Sequence, residues 1–142
     1  MRPDAQARAL EGIVRDLVAT PDGATYFAGQ LWGVSLRYDL GGGHPLAGRS
    51  APDFEFDDGW RLAERLREGA GVFVDFGGSE SARRTLARWS DRIRRVAMPA
   101  KDTLGLAALL VRPDGFVAWA SDEAPLAEDI EAAATRWFGS PA

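Results

Sequence analysis

Apolar positions along the chain change period several times, and each change marks an element. Ala7, Leu10, Val14, Leu17 and Val18 recur at three- and four-residue intervals behind Asp4, which predicts a helix over 4–19 with Asp4 as its N-cap. Pro21-Asp22-Gly23 is expected to stop it, and a second short helix is expected over 24–31. Val34, Leu36 and Tyr38 then alternate as in an extended segment. Tyr26, Phe27, Trp32 and Tyr38 form an aromatic group dense enough that it is expected to pack on something.

Further on, Phe54 and Phe56 alternate with Asp53, Glu55 and Asp57, and Asp57-Asp58-Gly59 supplies a turn into Trp60-Arg61-Leu62. This reads as a small hairpin, followed by a short helix over 62–68 with Leu62 and Leu66 inward and Gly69 closing it. Residues 70–77, AGVFVDFG, are apolar except for Asp75 and predict a central strand. A lone carboxylate in such a run must be hydrogen-bonded or take a raised pKa. A helix over 79–92 carries the stripe Ala82, Leu86, Trp89 and Ile93, and 94–97 is expected as a strand.

The most informative stretch is 106–120. Leu106 to Val111 is continuously apolar, Phe116 to Ala120 is a second run, and Arg112-Pro113-Asp114-Gly115 between them has turn chemistry. The pair predicts a hairpin forming the antiparallel half of a mixed sheet, covered by helices in an α/β sandwich. The last helix is expected from Pro125, with Leu126, Ile130, Ala133, Ala134 and Trp137 buried and Gly139 ending it.

Composition narrows the chemistry. The chain has 142 residues, 46% of them hydrophobic, a net charge of −4 and no cysteine. An acidic balance argues against nucleic acid or an anionic membrane as a general partner. Absence of cysteine excludes a disulfide, a thiolate nucleophile and thiol redox cycling, and a single histidine excludes a multi-histidine metal site. With no apolar leader or long apolar run, the expected location is cytoplasmic.

Candidate chemistry is sparse. Gly41-Gly42-Gly43 suggests a phosphate loop by composition, but no strand leads directly through it into a helix, so a plain turn is the reading. His44, alone and before Pro45, reads as a surface or hydrogen-bonding residue. Asp53, Glu55 and Asp57 fall opposite the two phenylalanines and read as a solvated face, not a metal cluster. Arg83, Arg84, Arg88, Arg92, Arg94 and Arg95 make a basic strip, read as solvated and partly neutralised by the acidic last helix.

From 51 to 139 the element order is hairpin, helix, strand, helix, strand, hairpin, helix, which resembles the thioredoxin-like arrangement. Ala51-Pro52-Asp53-Phe54 is similar to the lead-in of peroxiredoxin-type members, and Val74-Asp75-Phe76 to the strand before the thioredoxin active site. Where thioredoxins carry Cys-x-x-Cys this chain has Ser81-Ala82-Arg83-Arg84, and about Ala107 stands where they carry a cis-proline. A serine hydroxyl cannot replace a low-pKa thiolate.

A second resemblance covers nearly the whole chain. Arg37-Tyr38-Asp39-Leu40, His44 to Asp53, Leu110 to Trp119 and Arg136-Trp137-Phe138-Gly139 look like the C-terminal region of FAD-dependent aromatic hydroxylases, the class A flavin monooxygenases that tailor aromatic polyketides. That resemblance implies a cysteine-free thioredoxin-like domain over 41–142, preceded by a helical and linker segment over 1–40. It also implies FAD and NAD(P)H in the parent enzymes, but the Gly-x-Gly-x-x-Gly that would hold the flavin is missing from this sequence, so no cofactor is expected here. The chain then reads as an excised or independently encoded C-terminal domain, or as a protein without its catalytic half. No catalytic, cofactor or metal residue is assigned. The expected role is an accessory one, dimerising or docking onto a flavin hydroxylase. The alternative is a stand-alone protein that binds or tailors an aromatic polyketide. Leu17, Trp32, Tyr38, His44 and Arg49 are the candidate ligand or interface residues.

Overall fold

Asp4 caps the first helix, α1 (Ala5–Val18), by accepting the Ala7 N–H at 2.7 Å. The second, α2 (Pro21–Leu31), begins three residues earlier than expected. Thr20 is its N-cap, taking the Gly23 N–H at 3.1 Å, and Pro21 sits in the first turn, where its missing N–H is harmless. The Pro21-Asp22-Gly23 segment is therefore a helix start. Gly23 is needed there, because a Cβ at this position would lie 1.9 Å from the Leu17 carbonyl oxygen.

The computed structural model describes residues 4–33, 35–41 and 43–141. Val34, expected in an extended segment, and Gly42, expected in a turn, lie outside the described residues. Two units are distinguished, Met1–Leu36 and Arg37–Ala142. The first holds α1 and α2.

In the second unit, residues 54–62 form the hairpin that the sequence suggests. The Phe56 N–H donates to Trp60 O at 2.9 Å, Leu62 N–H to Phe54 O at 3.0 Å, and Gly59 N–H closes the turn onto Phe56 O. A short helix α3 (Leu62–Arg65) and one 3₁₀ turn to Glu68 follow, ended by Gly69. Strand β1 (Gly71–Asp75) is buried throughout. Then come α4 (Glu80–Leu86), a 3₁₀ turn to Trp89, and β2 (Ile93–Val96). The expected helix over 79–92 thus ends early, and Ile93 belongs to a strand, not to a helical stripe. Tightening of the last turn brings Trp89 to zero exposure, with its Nε1–H donating to Gly139 O at 2.8 Å.

Strands β3 (Ala108–Val111) and β4 (Val117–Ser121) are the expected hairpin. The sheet order is β2-β1-β3-β4, with β1 parallel to β2, antiparallel to β3, and β3 antiparallel to β4. This is a thioredoxin-like mixed sheet. The final helix, α5 (Ala127–Phe138), starts two residues after Pro125 with Leu126 as its N-cap.

Alternation along β1 and β3 splits the core in two. Val72, Val74, Leu109 and Val111 pack with Phe54, Phe56 and Leu62 on one face. Phe73, Ala108 and Leu110 pack with Leu86 of α4, Trp89 of the 3₁₀ turn after it, and Ile130 and Ala134 of α5 on the other. Each large side chain so buried contributes about 1.5–3 kcal/mol. Gly71 admits α5, since a Cβ there would stand 2.2 Å from the Phe138 ring.

Candidate functional site

At the outer edge of β4 the sheet is extended by two short segments that contain Tyr38 and Arg49, two of the five candidate residues, with His44 in the loop between them. Ser50 pairs with Phe116 and Arg37 with Arg49, both antiparallel. The Gly48 N–H donates to Val117 O at 2.9 Å, Val117 N–H to Arg49 O at 2.8 Å, and Tyr38 N–H to Gly48 O at 2.8 Å. Gly48 has φ of +81°, and a Cβ would meet Tyr38 O at 1.9 Å, so only glycine lets the two segments close. The Tyr38 ring packs edge-on against Phe116 at 4.8 Å between centroids.

His44 ties this edge to the end of β4. Its Nδ1 accepts the Leu46 N–H at 3.1 Å, which leaves Nε2 as the protonated nitrogen of the neutral ring, 3.1 Å from Asp122 Oδ1. The histidine is thus a hydrogen-bonding residue, as its isolation in the sequence suggests. Arg49 is exposed.

Leu17 and Trp32 belong to the first unit. Leu17 is 51% exposed, and Trp32 caps the end of α2 at 79% exposure. Tyr26 and Trp32 border a recess of about 560 Å³ with Ala28, Gly29 and Gln30. The aromatic group is only partly packed: Tyr26 meets Phe27 at 5.7 Å and Tyr38 meets Phe116, whereas Trp32 stays open.

The turn from β1 into α4 is where a thioredoxin carries its reactive cysteines. Here Asp75, 1% exposed, receives Arg95 Nη2 at 2.7 Å, and the same nitrogen donates to Ser79 O at 3.1 Å. Ser79 Oγ accepts the Ala82 N–H at 3.2 Å as helix cap. This turn does not fit the pyrophosphate of a flavin dinucleotide: its helix start is already capped, a carboxylate ends the strand, and β1 has an antiparallel neighbour. The sequence signalled that Asp75 needed a partner. It did not say which arginine.

The basic strip is engaged residue by residue. Glu80 accepts from Arg83 and Arg84, and these two hydrogen bonds lower its pKa from 4.5 to about 2. Arg88 meets Glu131 of α5 at 2.7 Å, Arg94 meets Glu68 at 3.4 Å, and Arg92 donates to Phe138 O and Ser140 O. On the hairpin, Arg61 bridges Asp53 and Glu55. Lys101 also holds Glu55 and, with its hydrogen bond as the largest cause, lowers that carboxyl's pKa.

Fold and surface together define a thioredoxin-like module with Ser81-Ala82-Arg83-Arg84 where the thiols would be and a buried carboxylate–arginine pair, Asp75 and Arg95, on the adjoining strands. Residues 44–141 match the family described as aromatic-ring hydroxylase, C-terminal, and the chain belongs to that family. It is 42% identical over 146 residues to a monooxygenase of Claviceps purpurea, covering 99% of this chain and 28% of that protein. It is 31% identical over 140 residues to a rifampicin monooxygenase of Streptomyces venezuelae, covering 99% and 28%. The solved structure of OxyS anhydrotetracycline hydroxylase from Streptomyces rimosus superposes with a TM-score of 0.78 at 33% identity, over 99% of this chain and 30% of that one. The chain thus spans less than a third of each of these relatives.

Proposed function

We propose that this chain is a non-catalytic accessory module of FAD-dependent aromatic-hydroxylase chemistry, acting by docking onto a flavin hydroxylase or by pairing with its own copy. The observation that carries this reading is the state of the helical pair. No residue of α1 is buried and only Gly23 of α2 is, while Leu10, Ile13, Val14, Leu17 and Val18 are 40–65% exposed. An apolar face of that kind costs about 25 cal/mol per Å² in water, and contiguous patches of a few hundred Å² mark interfaces. Support also comes from the relatives, which are monooxygenases with more than twice as much additional polypeptide.

Light scattering on the purified chain, alone and with a separately purified flavin-hydroxylase body, tests this. A dimer or a stoichiometric complex is expected, and Leu17→Glu should abolish it while leaving the circular dichroism of the sheet domain intact. A wild-type chain that stays monomeric and ignores the hydroxylase would overturn the reading. The preparation should also be colourless and should not oxidise NAD(P)H.

The recess beside Tyr26 and Trp32 favours a second reading, in which the chain grips an aromatic small molecule such as a polyketide. Saturable quenching of tryptophan fluorescence by anhydrotetracycline, lost in Trp32→Ala, would support it.

A further inference from the structure

Arg37 and Arg49 stand directly opposite one another on the sheet edge. The Tyr38 N–H to Gly48 O bond flanks this pair, which makes it a non-hydrogen-bonded position, where side chains on the same face come closest. Two guanidinium groups at such a position repel. Many of the other arginines meet a carboxylate, among them Arg61, Arg65, Arg88, Arg94, Arg95 and Arg112, although Arg8, Arg67 and Arg136 meet none among the described residues. Among the described residues, Arg37 and Arg49 meet none. What sets Arg37 and Arg49 apart is that the strand register places them side by side.

Arg37 is also partly preoriented. Its Nε donates to Ala47 O at 3.3 Å, which anchors one edge of the guanidinium. Arg37 borders a recess of about 300 Å³ with Tyr38, Asp39, Leu40 and Ala47. Asp39 adds a negative charge to that recess, but its Oδ1 is turned onto the Gly41 N–H at 3.1 Å. Planar guanidinium groups bind carboxylate and phosphate oxygens in pairs, and a second arginine opposite the first supplies the other half of such a grip.

We propose that Arg37 and Arg49 form a two-guanidinium clamp for one oxyanion group, phosphate or carboxylate, carried by a small molecule. The clamp stands whether or not the accessory role does, since it involves neither helix of the first unit.

The test is an NMR titration of the arginine Nε–Hε signals with inorganic phosphate and, separately, with benzoate, at constant ionic strength. Both Arg37 and Arg49 signals should move along one saturating curve, and Arg37→Gln or Arg49→Gln should each weaken binding about tenfold. Tighter phosphate binding would identify a phosphate-bearing ligand, and tighter benzoate binding an aromatic acid seated towards Tyr38. Arg49 makes no side-chain hydrogen bond among the described residues, so its variant remains informative even if Arg37→Gln loosens the Ala47 contact. A drift that never saturates, or unchanged affinity in both glutamine variants, would overturn the clamp.

Discussion

Arg95 reaches from β2 across to Asp75 at the end of β1 and donates to its carboxylate at 2.7 Å, in a position where the aspartate is 1% exposed. Removing one partner of such a pair strands a charge in the core. Arg95→Met is expected to cost about 3 kcal/mol, and Arg95→Met combined with Asp75→Asn to recover part of that loss. Urea unfolding midpoints of the two variants and the wild type check this. Equal destabilisation by the single and double changes would show that a stranded Asp75 charge is not the cause of the loss.

Close approach of Phe138 to Gly71 leads to a second expectation. A Cβ at 71 would stand 2.2 Å from the ring, against backbone that is fixed in the sheet. Gly71→Ala is therefore expected to lose about 1–3 kcal/mol by overpacking, and adding Phe138→Leu should restore part of it. Thermal unfolding of the single and double variants reads the difference directly.

Acid stability should depend on Glu80. Its pKa is about 2 in the folded protein against an ordinary 4.5, held down first by the hydrogen bond from Arg83 and then by that from Arg84. A depressed carboxyl pKa contributes stability that is fully present above pH 4.5 and is lost as pH falls through about 2. Glu80→Gln should flatten the pH dependence of the unfolding midpoint within that window. The effect should be small and should shrink in high salt, because the pair lies in solvent. A slope unchanged by the substitution would remove Glu80 from the account.

The His44 ring is expected to be the Nε2–H tautomer, since the Leu46 N–H occupies Nδ1. Long-range ¹H–¹⁵N spectra distinguish the two tautomers, and a protonated Nδ1 in the neutral ring would contradict the arrangement. Loss of both hydrogen bonds in His44→Ala should cost about 1 kcal/mol, as the Asp122 partner is largely exposed.

Much of the domain was legible from local pattern. Continuous apolar runs at 70–77 and 106–111, and the turn residues 112–115, placed the central strand and the hairpin, because sheet burial writes itself into adjacent residues. Helix ends were less legible. Pro21 ends one helix or starts the next with equal local sense, and Thr20 as cap decided for the start. The 3₁₀ turn at Ala87–Trp89 was hidden because Trp89 and Ile93 fit a helical period as well as a turn followed by a strand.

The chain by itself determined that thiol chemistry is impossible, that Asp75 required a partner and that the sheet is mixed. Only the tertiary structure decided which arginine meets Asp75, that His44 reaches Asp122 across 78 positions of sequence, and that Arg37 faces Arg49. Periodicity is a property of neighbours a few residues apart. Charge pairing between strands depends instead on where the chain crosses itself, and that is fixed by packing of the whole core.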